Sequence, residues 1–367
     1  MVGIKEFVLI FGIILTASSS YGEVEIVAKF ENRPGNPAVT PDGRKIVSMQ
    51  PIDNPTYRVV EVLPDGSIKP FPSEKWARAV GSDGIGMQAV IGIVADVNGI
   101  VWMLDMGGNG HAPKLVGWDT KKNTLKRIIN FPASASRPNS FHQDMAIDTK
   151  RNMAYVADMT RGDLTGESLP AIVAIDLDTG FVRRVLEGNA HFAPGNEQIV
   201  IDGNTFGTKT ANGETVPLFL GLNPITIDVD NQWVYFGPIN GKGLYRIPAS
   251  ALADSNLSDE DINAMIEPYG EKRCSDGISI DSKANVYITD IENHAIGVTN
   301  PEGYRILVKD DNLLKWPDGM AFGPDGWLYV TVNQLNLHPL LNGGNEGGKP
   351  PYYLIRVRPL ANSTVGR

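Results

Sequence analysis

Asn223, Asp276 and Asp318 stand at matching places in three copies of one short pattern, each opening an apolar run: NPITI at 223–227, DGISI at 276–280 and DGMAF at 318–322. Three further copies open on Asn36, Gly92 and Asp144. Carboxylate and amide oxygens that converge from several strands make a site for a hard cation, and calcium takes roughly 6–8 oxygen ligands. Acids crowded together without a cation would instead hold protons. The same Asp-Gly and Asn-Pro pairs are also turn formers that cap the start of a strand.

Other residue types narrow the chemistry. The five histidines show neither HxH nor HExxH spacing, and the sequence carries no phosphate-cradling glycine loop, nucleophile elbow or Cys–His pair. His142 adjoins Gln143 and Asp144, so it either reaches the same space as they do or serves as a hydrogen-bonded structural histidine. Further polar candidates lie in the segments between apolar runs: His111, Arg161, Asp163, Asn240, His294, Asn333 and His338. Of all these, Asn36, His142, Gln143, Asn240, His294 and Asn333 are the expected contacts for a small-molecule ligand.

The elements that must position these residues follow from the repeat. The six copies begin near 36, 92, 144, 223, 277 and 319, mostly roughly 40 to 55 residues apart, the length of a four-stranded propeller blade. After each copy comes a second apolar run, as at 286–290 (VYITD) and 328–332 (LYVTV), and then two further strand-like runs. The outer runs alternate basic and apolar residues, as strands with one wet face do. The reading is an all-β, six-bladed β-propeller occupying residues 23–367 as one domain. The last copy lacks a fourth strand, and residues 24–30 (VEIVAKF) have the alternation to supply it, closing the ring. Trp102, Tyr155, Tyr235, Tyr287 and Tyr329 recur by blade and are expected to pack between blades. Two stretches break the rhythm, 188–222 and 249–273, the second with a short helix capped by Ser258.

Composition bounds the partners. Against 42 Asp and Glu the chain carries 33 Lys and Arg, a net charge of -9, which argues against a nucleic-acid partner. Lys5 followed by an apolar run through Ala17 and small residues before Glu23 reads as a secretory signal peptide over residues 1–22. The run is too short to span a bilayer. The protein is therefore expected outside the cytoplasm, secreted or periplasmic, and free of the membrane once the leader is cut. Cys274 is the one cysteine, so no internal disulfide contributes to stability.

Several dispersed motifs resemble the major royal jelly/yellow protein family: residues 115–119 (LVGWD) with 125–132, 140–148 (SFHQDMAID) with 154–158 (AYVAD), 221–223 with 244–248 (LYRIP), and 328–333. The resemblance implies a secreted six-bladed propeller that binds small ligands in its channel, aromatic amines in some members, and most members have no established enzymatic activity. A more distant resemblance is to the gluconolactonase and senescence-marker family of calcium-dependent lactonases. It implies calcium held by Asn223 and Asp276, with Asp144 or Asp318 as base in hydrolysis. That family's acid in the first blade is replaced here by Gly35-Asn36-Pro37, and Pro224 follows Asn223 where a glycine belongs. The first expectation is thus a ligand-binding propeller, the second a metal-dependent hydrolase, and the third a propeller that binds proteins through its rim loops.

Overall fold

In the computed structural model, which describes residues 22–210 and 212–367, six four-stranded antiparallel sheets surround one axis. The expected leader, apart from Gly22, lies outside the described residues. The innermost strands are Pro34–Val39, Val90–Ala95, His142–Asp148, Leu222–Ile227, Ile278–Ile280 and Pro317–Phe322. Each touches the innermost strands of the blades on either side, so the six form a closed ring. In blade six the order is Val24–Phe30, Tyr352–Val357, Leu328–Val332, Pro317–Phe322. Val24 pairs there with Val357 and Phe30 with Tyr352, and Arg356 Nε donates to Glu25 across the pair at 2.8 Å. Among the described residues, no helix is long and apolar enough to cross a membrane.

The ring is narrow, and that accounts for the glycines of the repeat. A Cβ on Gly277 would lie 2.3 Å from the Asp318 carbonyl oxygen, and one on Gly92 would lie 2.7 Å from that of Gln143. These glycines are needed where neighbouring blades meet at the axis, rather than for a turn. In five blades the innermost strand slips register against its neighbour near its start, for example between His142 and Asp144 and between Pro317 and Met320. Such bulges re-aim side chains at a barrel or propeller mouth. In blade five the strand starts later, and the Thr289 hydroxyl instead accepts from the N–H groups of Asp276 (3.0 Å) and Gly277 (2.8 Å).

The core lies between blades. Tyr155, Ile172, Ile225, Val234 and Phe236, from blades three and four, bury one another, each worth about 2–3 kcal/mol as apolar burial. Four of the five recurring aromatics carry a polar handle that the turn after the innermost strand accepts. Trp102 Nε1 donates to Asp96 at 3.0 Å, and the hydroxyls of Tyr155, Tyr287 and Tyr329 donate to Asp148, Asp281 and Asp325 at 3.2, 2.8 and 2.7 Å.

Both irregular stretches expected from the sequence carry defined elements among the described residues. Ser258 caps the short helix Asp259–Asn263 through a reciprocal capping box with Asp261. The first excursion, described over residues 188–210 and 212–221, carries two small hairpins, Val200–Ile201 with Asn204–Thr205 and Gly207–Lys209 with Thr215–Pro217. A third excursion, 333–351 in blade six, carries the 3-10 turns Leu335–Leu337 and Pro339–Leu341. It meets the second hairpin over one end of the axis, here called the upper end.

Candidate functional site

Three carboxylates lie in the ring, and their partners are mostly amides. Asp276 Oδ1 accepts from Asn223 Nδ2 (2.5 Å) and Gln143 Nε2 (3.1 Å), and its Oδ2 accepts from Trp316 Nε1 (2.8 Å). Asp318 Oδ2 accepts from Gln50 Nε2 at 2.8 Å and from Asn333 Nδ2. Asp144 Oδ1 accepts from Met145 N (2.9 Å) and Asn36 Nδ2 (3.1 Å). Burial disfavours the charged form of all three. It pushes Asp144 up to about 8, with the Asp276 charge adding to the rise. Asp276 and Asp318 are also raised by burial, and Asp318 further by the charges of Asp276 and Asp144. The donors from Trp316, Asn223 and Gln143 pull Asp276 back down.

Above this ring sits a chamber of about 350 Å³. Its floor bears Asp276, Gln143 and Gln50; its walls are Phe141, Met159 and Ile239 from the blades, with Phe206, Leu218, Leu220, Leu335 and Leu341 from the two excursions. Trp316 joins floor to wall. Its indole packs on Phe206 with ring centroids 4.9 Å apart while its N–H holds Asp276. Trp316 takes a left-handed backbone conformation (φ 56°), a cost that side chains normally avoid and that tends to collect at functional sites. Among the described residues, no basic one lines the chamber. Leu340, 53% exposed, stands at its rim.

The structure distributes the candidate residues as follows. Gln143 and Asp276 reach the chamber, whereas Asn36 and Asp144 line a small lower cavity of about 30 Å³ in the channel. Asn223 is buried beside Asp276, and its Oδ1 has no hydrogen-bond partner among the described residues. Asn333 ties Asp318 to the Pro34 carbonyl (2.9 Å). His142 sits between blades against Phe131, 3.7 Å from Asp158, and burial pushes its pKa down. Asn240 bonds Leu220 N, Glu197 O and Leu218 O at 2.8, 2.9 and 3.1 Å, fixing the first excursion. His294 Nε2 pairs with Asp202 of the same excursion at 2.9 Å. His338 lies 3.6 Å from Asp53, which with Glu346 also binds the buried Arg33. Sequence reasoning passed over Gln50, Phe141, Phe206 and Trp316. Only Trp316 left a signal there, a bulky aromatic two residues ahead of Asp318 where blade five has Cys274.

Residues 88–339, well over half of the chain, match the family profile described as Major royal jelly protein. The chain belongs to that family. A curated relative, Protein yellow of Drosophila madeirensis, is 22% identical over 302 residues, 76% of this chain and 51% of the relative. The chain thus spans about half the length of the curated relative it matches. Among solved structures, a luciferin-regenerating enzyme superposes on this royal jelly chain with a TM-score of 0.56 at 14% identity, over 94% of this chain and 98% of that one. The calcium-binding protein regucalcin from Agrobacterium tumefaciens does so at 0.52 and 14%, over 94% and 97%. At such identities the two attest the propeller fold alone.

Proposed function

We propose that the chain binds a small molecule with a broad apolar body and one positively charged nitrogen, held in the upper chamber with Asp276 as its counter-charge. The observation that carries this reading is the chamber itself: apolar and aromatic walls over a floor with one carboxylate and two amides, the usual composition of a ligand pocket. Each carboxylate oxygen accepts two hydrogen bonds. Among the described residues Asp276 Oδ1 has two donors and Oδ2 has one, which leaves a position for an ammonium N–H. An arriving cation would also favour the charged form of a carboxyl that burial otherwise opposes. The protein would do this outside the cytoplasm, after loss of the leader.

Calorimetry with tryptamine and with its neutral analogue indole-3-ethanol tests the reading. A charge-assisted bond contributes about 1.5–3 kcal/mol, so the amine should bind roughly 10- to 100-fold more tightly. Asp276→Asn should erase that preference and leave the neutral analogue unaffected. Equal binding of the two ligands, or an unchanged preference in Asp276→Asn, would refute it.

A second reading, a calcium-dependent hydrolase of lactonase type, has one observation in its favour. Asn223 Oδ1 is buried beside Asp276 and unpaired among the described residues, as an oxygen awaiting a cation would be. The remaining donor set fits calcium poorly. Asp276 already accepts three side-chain N–H groups, Asn36 stands in the first blade, and among the described residues no group of three or more His, Cys, Asp or Glu is placed to hold a metal. Calcium titration of the wild type and of Asn223→Ala separates the readings: affinity lost in the variant supports the hydrolase.

A further inference from the structure

The lower end of the channel is closed by the chain itself. After Tyr352–Val357 the chain runs beneath blades five and six. Leu360 N donates to the Tyr287 hydroxyl (2.7 Å), Ser282 N to the Asn362 carbonyl (2.9 Å), and the Ser363 hydroxyl to the Ile280 carbonyl (2.7 Å). It then turns to the axis. Gly366 and Arg367 border the lower cavity together with Val39, Ala95, Ala146, Thr226, Ile278 and Ala321, one residue from each blade.

Arg367 is 6% exposed, although arginine is almost never buried without partners. Its Nε donates to the Asp228 carbonyl (3.0 Å), Nη2 to Asn231 Oδ1 (3.0 Å), and Nη1 to the Gly366 carbonyl (2.9 Å) and more distantly to that of Ile147 (3.5 Å). Its own carbonyl accepts from Phe322 N at 2.9 Å. We propose that the lower mouth of the channel is a recognition site for an arginine side chain preceded by glycine, filled in this structure by the chain's own residues 363–367.

Two features make the site selective. The acceptors are neutral oxygens spread around a planar fork of five donors, a geometry that the compact ammonium of lysine cannot satisfy. The carboxylates of Asp228 and Asp148 lie close enough to favour a cation, and they offset part of the burial that pushes Arg367 down to about 10. The residue before the arginine must be glycine. Gly366 has φ +83°, and a Cβ there would lie 2.8 Å from the Ala95 carbonyl oxygen. The ligand class is therefore a peptide or small molecule that presents a guanidinium on a Gly-like backbone. The site is separate from the upper chamber and does not depend on the function proposed for it.

The test uses the full chain with Gly366→Val, which should expel the segment, and fluorescein-labelled acetyl-Ser-Thr-Val-Gly-Arg-amide as probe, followed by fluorescence anisotropy. The probe should bind the variant at least about tenfold more tightly than the wild type, and replacing its arginine by lysine should cost about tenfold or more. Equal binding to both proteins, or none to a variant whose circular dichroism shows it folded, overturns the proposal. If that variant fails to fold, Arg367→Ala decides. Its lowered Tm should recover with millimolar ethylguanidinium and not with ethylammonium; no recovery, or equal recovery with both, counts against the site.

Discussion

Asp144 offers a prediction whose sign and size both follow from its surroundings. Its carboxyl is pushed up to about 8 by burial, from an ordinary 3.8. Between those values the folded chain keeps a proton that the unfolded chain releases. Stability is therefore lost as pH rises through this window, and fully retained below it. Each tenfold change in proton affinity is worth about 1.4 kcal/mol, so roughly four decades set a ceiling near 6 kcal/mol. Part of the side chain faces the channel cavity, and water there brings the effect down to about 2–3 kcal/mol. Asp144→Asn keeps the shape and an oxygen to accept from Asn36 and Met145, but it never ionises. Urea unfolding followed by circular dichroism should find the variant within about 0.5 kcal/mol of the wild type at pH 3.5, below the window, and more stable by about 2–3 kcal/mol at pH 8.5. The same stability difference at both pH values, or a wild type that gains on the variant at pH 8.5, would refute the reasoning.

Two further outcomes follow from contacts already described. Trp316→Phe keeps the stacking on Phe206 but removes the N–H held by Asp276 Oδ2; it should cost about 1–3 kcal/mol in thermal unfolding, and an unchanged Tm would show the bond to be dispensable. Deleting residues 23–30 strips the outer strand from Tyr352–Val357 and bares an unpaired edge. The product should aggregate in size-exclusion chromatography, and a monomer as stable as the full chain would contradict the closure of blade six.

The fold was largely legible because each blade repeats the same local physics. In blades two and five a Cβ in place of Gly92 or Gly277 would strike the neighbouring blade, and the aromatics of blades five and six find acceptors in Asp281 and Asp325. Such requirements leave a period in the sequence. The acids of the ring were legible for the same reason. The chamber was not. Its walls come from Phe206, Leu218, Leu335 and Leu341, on excursions that have no counterpart in other blades, and nothing local distinguishes an apolar residue above the axis from one in a core. His142 shows a related limit. The register slip between His142 and Asp144 sends neighbours to different sides, and this histidine lodges against Phe131 instead of reaching the channel. Asn240 and His294 stand out in the sequence only as polar residues in segments between apolar runs. Their partners, Leu220 and Asp202, lie 20 and 92 residues away in sequence, too far for any spacing rule to connect.

Trp316 has one more consequence. Of the six tryptophans in the chain, it is the one among the residues lining the chamber, where it touches both a wall aromatic and the floor acid. The molecule thus carries its own optical gauge. Whatever occupies the chamber must change the polarity around this one indole, so the shift of its emission reports filling without any attached dye. The Trp316→Phe protein provides the blank against which that signal is read.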